Sequence, residues 1–138
     1  MKEAIDKIHS LEQAAVIIWN TFDGWDLEWS GDGFNCCDAM GFTPKGYSCG
    51  IEMKFRNKYY SDKMLEVSKY DRLMKMNVEV RLYFVSDPKG NYMFWLDDIK
   101  MPEPQKMWCP STTLWGNQKT EKLVYMLEEN ISAETFIY

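Results

Sequence analysis

Gly50-Ile51-Glu52-Met53-Lys54-Phe55-Arg56 alternates strictly between apolar and charged residues. Successive side chains of a strand point to opposite faces. Ile51, Met53 and Phe55 therefore share one face, and Glu52, Lys54 and Arg56 the other. The carboxylate of Glu52 and the ammonium of Lys54 stand side by side. On an exposed strand they make an inexpensive surface pair. At the centre of a sheet they are costly to bury unless a metal ion or a phosphate joins them. The flanking elements decide between the two cases.

Upstream, residues 25–29 alternate as a short strand, and Ser30-Gly31-Asp32-Gly33 is a turn. Residues 34–39 read as a strand that carries Asp38. A Gly/Pro loop over 41–46 joins it to residues 47–56, which gives an antiparallel hairpin. Asp38 is expected near the loop end of its strand, with Glu52 mid-strand on the partner. Further upstream, residues 3–22 read as a helix, with Ile8, Leu11, Ala15, Ile18 and Phe22 as its apolar stripe and Glu12 at the border.

Downstream, Ser61 is a plausible cap for a helix over 61–76, with Met64, Val67, Tyr70 and Met74 facing inward. Residues 78–85 and 91–98 read as strands around the turn Asp87-Pro88-Lys89-Gly90. Past residue 99 the pattern weakens: Pro102, Pro104 and Pro110 punctuate a loop, 123–127 suits a strand, and 132–138 a short helix or a frayed end. Helix, hairpin, helix, hairpin predicts an α/β class with a mixed β-sheet flanked by helices. We expect one domain over 1–138, with 99–138 a less regular C-terminal extension.

Composition narrows the class. A chain of 138 residues with 46% hydrophobic and 27% charged content should fold around a real core. Six Trp and eight Tyr exceed what that core must bury, so some suit a binding surface. No apolar run is long enough to span a bilayer, and Glu3 and Asp6 come too early for a signal peptide, so a cytoplasmic protein is expected. Cysteines at 36, 37, 49 and 109 form no C-x-x-C pair and match neither a zinc site nor a disulfide framework; Cys36, Cys37 and Cys49 fall within strand-like runs and read as small buried hydrophobes. His9, the one histidine, is read as a helix-surface residue, which argues against His-based dyads and triads. Net charge is -5, but unevenly spread: residues 44–81 hold nine Lys or Arg against five acids, while 1–38 hold two against eight. A basic middle between acidic ends suits one positive face.

Asp38 followed by Glu52-Met53-Lys54, on neighbouring strands between two helices, resembles the PD-(D/E)xK nuclease superfamily, with a small phage-type or Holliday-junction-resolvase-like member the nearest flavour. The likeness runs over roughly residues 3–98; Cys37 stands where the family name has Pro, a position that varies among members. The resemblance implies a restriction-endonuclease-like core in αβββαβ order and a Mg2+- or Mn2+-dependent endonuclease acting on DNA. It implies Asp38, Glu52, the Met53 carbonyl and Glu12 as metal ligands. Lys54 would act on the attacking water and Lys69 would face the site from the second helix, beside Lys63 and Arg72 as competitors. Arg56, Lys58, Lys63, Arg72 and Lys75 would meet the DNA backbone. A domain this small cuts both strands most simply as a homodimer. The rival readings are a non-catalytic nucleic-acid- or protein-binding module on the same fold, using aromatics such as Tyr59, Tyr60 and Trp95, and a protein-interaction domain working through its acidic ends. A surface salt-bridge cluster worth roughly 0–1 kcal/mol would also explain the three charges without any function.

Overall fold

The computed structural model describes residues 2–32, 37–110, 119–132 and 134–136. Helix α1 (Lys2–Phe22) leads into strands β1 (Asp26–Trp29), β2 (Ala39–Phe42), β3 (Ser48–Phe55) and β4 (Asp62–Glu66). Helix α2 (Val67–Met74) follows, then β5 (Val80–Asp87), β6 (Gly90–Trp95), β7 (Gln105–Pro110), β8 (Lys119–Glu128) and β9 (Glu134–Phe136). The main sheet has the order β1-β2-β3-β5-β6-β9, and β4-β8-β7 form a second, smaller one. Within the main sheet β3 and β5 run parallel and the other pairings are antiparallel. A parallel pair needs a long crossover, and β4 with α2 provides it.

The strand carrying Glu52 and Lys54 is thus central, and the costly case applies. Ile51 and Met53 pack with Val16 and Trp19 of α1, and with Leu82 and Phe84 of β5. The opposite face of the sheet contributes Tyr83, Val85 and Phe94 to a second core with Leu65, Leu73 and Leu127. Gly50 precedes Glu52 and Lys54 on that face. A Cβ there would lie 2.8 Å from Met76 Sδ, so glycine lets the segment after α2 close onto the strand.

Four local expectations change. The helix expected over 61–76 is β4 followed by the shorter α2. Lys63, Met64, Leu65 and Glu66 are good helix formers, but Asp62–Glu66 pairs in register with Val124–Glu128 of β8, and that tertiary ladder overrides propensity. Lys63 is consequently no exposed helical lysine. It is 2% exposed, ion-paired to the equally buried Asp87 at 2.8 Å, and lies against the rings of Tyr59 and Tyr92.

The buried face of α1 is Glu12, Val16 and Trp19, whereas Leu11, Ile18 and Phe22 are exposed. This helix is apolar on more than one side, and the largest ring, Trp19, takes the core, edge-on to Phe84 at 4.8 Å. β2 starts at Ala39, with 33–36 outside the described residues. The turn sits at Thr43–Tyr47, so Asp38 lies at the end of the hairpin away from it. The C-terminal region supplies β7, β8 and β9 instead of an irregular extension ending in a helix or a frayed tail; residues 111–118, 133, 137 and 138 lie outside those described. No helix among the described residues is long and apolar enough to cross a membrane.

Candidate functional site

The β2–β3 register pairs Ala39 with Ile51, which sets Asp38 level with Glu52. The Asp38 backbone N–H still donates to the Ile51 carbonyl, at 2.9 Å. Its side chain then does what a further strand residue would do: Oδ2 accepts the Met53 N–H at 2.8 Å. The backbone of the Glu-x-Lys stretch therefore aims this carboxylate.

Glu52 is 9% exposed, and its Oε1 lies 3.1 Å from Lys69 Nζ. Lys69 reaches it from α2 along the border of the helix's inner face. Glu12 projects from α1 and is 5% exposed; its Oε1 accepts the indole N–H of Trp29 at 3.0 Å. Gly31 makes room for that bond, since a Cβ at position 31 would come 2.5 Å from Glu12 Oε1.

The electrostatics follow from burial and like charge. Desolvation, then the Asp38 charge, pushes Glu52 up to about 7, with Lys69 and Arg72 opposing. Asp38 is also raised, by burial, against the pull of the Met53 N–H, Lys69, His9 and Lys54. Burial lifts Glu12 to about 7; Trp29 resists and Asp38 adds to the rise. Burial, then the neighbouring charges of Lys69 and Arg56, brings Lys54 down to about 8. Burial also works against the Lys69 ammonium, but Glu52, Glu66 and Asp38 outweigh it and raise its pKa. Burial moves Glu12, Glu52 and Lys54 together away from their ordinary values, a pattern that clusters at functional sites.

Asp38, Glu52, Lys54, Lys69 and Glu12 thus come into one electrostatic neighbourhood. Arg56 lines the same small cavity as Glu52, Lys54 and Lys69. Arg72 is exposed on α2, with its charge felt at Glu52. Lys58 and Lys75 are exposed. Lys63 stands apart in its ion pair with Asp87. His9 is half-buried and packs edge-on to Trp29 at 5.2 Å, close enough to Asp38 to influence it, so it is not a free surface residue. Tyr59 donates its hydroxyl to Glu129, and Trp95 packs beside Trp25, so both serve the fold. Tyr60 is 52% exposed.

Two cavity-lining residues were not legible as site residues. Glu66, read as helical, ends β4 beside Lys54 and pairs with Lys122 at 2.9 Å; Tyr83 donates its hydroxyl to the Met64 carbonyl. The alternation of Lys63 and Leu65 with Met64 and Glu66 was the available signal for a strand.

Among solved structures, the Hjc Holliday junction resolvase of the archaeal hyperthermophile Archaeoglobus fulgidus matches with a TM-score of 0.53 and 12% sequence identity, over 87% of this chain and 91% of that one. At that identity the likeness establishes the fold and nothing finer. No protein-family model matches the chain, and no curated protein does.

Proposed function

We propose that this chain is a metal-dependent endonuclease that hydrolyses phosphodiester bonds in DNA, built on a restriction-endonuclease-like core of the PD-(D/E)xK type. One observation carries the reading: the half-buried Asp38, just before β2, sits level with the buried Glu52 of β3, the two repelling each other beside Lys54. The fold likeness to a Holliday junction resolvase supports it. The order differs from αβββαβ by one strand, since β4 intervenes before α2 and recruits β7 and β8.

Hard carboxylate oxygens suit Mg2+ or Mn2+. Among the described residues no three His, Cys, Asp or Glu side chains group closely enough to hold an ion alone. Mg2+ keeps several waters and takes one or two carboxylates plus substrate phosphate in preference to an all-protein cage. Asp38 and Glu52 would hold the ion, with the Met53 carbonyl as a further oxygen donor; Glu12, expected as a third carboxylate ligand, accepts the Trp29 indole N–H and does not group closely enough with the other two. When bound, it supplies Lewis-acid stabilisation of the charge that builds on phosphorus.

The chain's own residues do the rest. Lys54, its pKa lowered to about 8, hydrogen-bonds the attacking water and, in the fraction that is neutral, takes its proton. Lys69 neutralises Glu52 while no ion is bound and, turned from it once the ion enters, adds positive charge opposite the phosphate. Arg56, Lys58, Arg72 and Lys75 contact the DNA backbone. A homodimer places two such centres on two strands, and the exposed apolar residues of α1 are its proposed interface.

One observation favours a second reading, a non-catalytic binding module on the same fold: Lys69 already neutralises Glu52 at 3.1 Å. Incubation with supercoiled plasmid and branched DNA, at fixed ionic strength with and without Mg2+, separates the two. We expect Mg2+-dependent cleavage by the wild type and none by Asp38→Asn or Glu52→Gln. Retention of DNA without cleavage would leave the binding module.

A further inference from the structure

A groove of about 680 Å3 runs past the site, with Lys7, Lys54 and Arg56 among its lining residues. Its acids are engaged elsewhere: Glu66 pairs with Lys122, and Asp87 with Lys63. Its cations are not, since Lys7, Lys54 and Arg56 make no ion pair among the described residues. Arg56 has the Tyr83 hydroxyl beside it, but its Nη2 is buried without a hydrogen-bond partner among the described residues. A groove with committed acids and uncommitted cations is complementary to phosphate.

The same groove opens into an apolar notch of about 200 Å3, and the two share Arg56, Tyr60, Met64 and Cys109. Trp108 of β7 is 67% exposed and Tyr60 is 52% exposed, and both line the notch. The Arg56 guanidinium carbon lies 5.9 Å from the Tyr60 ring centre. Among the described residues the exposed Asp62 is the notch's one carboxylate. The volume lies below the roughly 300–1,000 Å3 that encloses a whole drug-sized ligand, so it suits one planar group. Exposed aromatic faces beside a phosphate-complementary groove match the two halves of a nucleotide: bases stack on aromatic rings whatever their sequence, while the charges track the backbone.

We propose that Trp108 and Tyr60 seat an unpaired nucleobase beside the phosphate held at Lys54 and Arg56, so that the preferred substrate is DNA with an unpaired or displaced nucleotide. A base inside a duplex has both faces stacked and cannot enter the notch. The proposal rests on the nuclease reading for what happens to the phosphate, but not for the binding preference.

Fluorescence anisotropy in chelator, at fixed ionic strength, compares two duplexes of equal length, one fully paired and one bulged, with 2-aminopurine in the bulge. We expect the full-length protein to bind the bulged duplex about 5- to 150-fold more tightly, the range that base–aromatic stacking gives, and to quench the 2-aminopurine. Trp108→Ala and Tyr60→Ala should each shrink that ratio and the quenching, Trp108→Phe should keep most of both, and Phe42→Ala at the exposed end of β2 should change neither. Equal affinity of the wild type for both duplexes, or equal losses on both in the Trp108 and Tyr60 variants, would overturn the proposal. Failure of the nuclease reading looks different: the wild type would keep its preference for the bulge and cut neither duplex.

Discussion

Glu52 and Lys54 pose the central energetic problem, because a central strand cannot leave them in water. Glu12 and Glu52 both rise from an ordinary value of 4.5 to about 7, with burial the largest cause. A raised carboxylate has no effect on stability below pH 4.5, where folded and unfolded forms both hold the proton. Between 4.5 and about 7 only the unfolded form releases it, so stability falls as pH rises, and above 7 the loss is complete. In chelator the melting temperature should therefore decline across that window. Glu52→Gln should flatten part of the decline and raise Tm by about 4 °C or more at pH 8. Added Mn2+ should raise Tm for the wild type and fail to do so for Glu52→Gln. Lys54 answers a different measurement. Lys54→Ala should lower cleavage by about 10²–10⁴-fold, the usual share of general acid–base catalysis, while Mn2+ calorimetry still gives a binding isotherm. A lost isotherm would mean that Lys54 holds the site together.

At the scale of elements, α2 and β4 separate lysines that sequence periodicity had placed on one helix. Lys69 stays on α2 and meets Glu52, so Lys69→Ala should slow cleavage more than Lys75→Ala, which should mainly weaken DNA affinity and its salt dependence. Lys63 belongs to β4 and ties it to Asp87 of β5. Lys63→Ala strands a buried carboxylate and should cost about 3–5 kcal/mol in a denaturant titration, with no role in DNA contact. α1, β3 and β5–β6 were legible because their periodicity agrees with their propensity, whereas β2 lies at 39–42, beyond most of the strand expected over 34–39. β4 was not, because a Lys-Met-Leu-Glu run is helical by propensity and becomes a strand only when β8, far along the chain, pairs with it. The buried side of α1 was misread for a related reason: Leu11, Ile18 and Phe22 share a face as regular as that of Glu12, Val16 and Trp19, and only packing against Phe84 chooses. Of the candidate site, Asp38, Glu52, Lys54, Lys69 and Glu12 came from residue type and order. Their juxtaposition depends on a register that puts Asp38 at the far end of its hairpin, which no local signal encodes. Trp108 lay in a region without clear periodicity.

The whole molecule is a central mixed sheet with α1 on one face and α2 plus the small sheet on the other, and the acids and amines meet where these layers adjoin. Phe22, Ile17, Ile18 and Leu11 leave α1 with an exposed apolar side, 78% of Phe22 being accessible. If that side joins two copies, sedimentation should give a dimer for the wild type and a monomer for Phe22→Asp, and the variant should nick plasmid DNA without linearising it. A monomeric wild type would remove the dimer from the account and leave the single centre intact. That centre is tested most directly by the anomalous scattering of a crystal soaked in manganese. We expect a peak between Asp38 and Glu52 in the wild type, with Lys69 turned away from Glu52 to admit the ion. A fully occupied manganese peak elsewhere, with Lys69 still paired to Glu52, would contradict the metal-dependent reading.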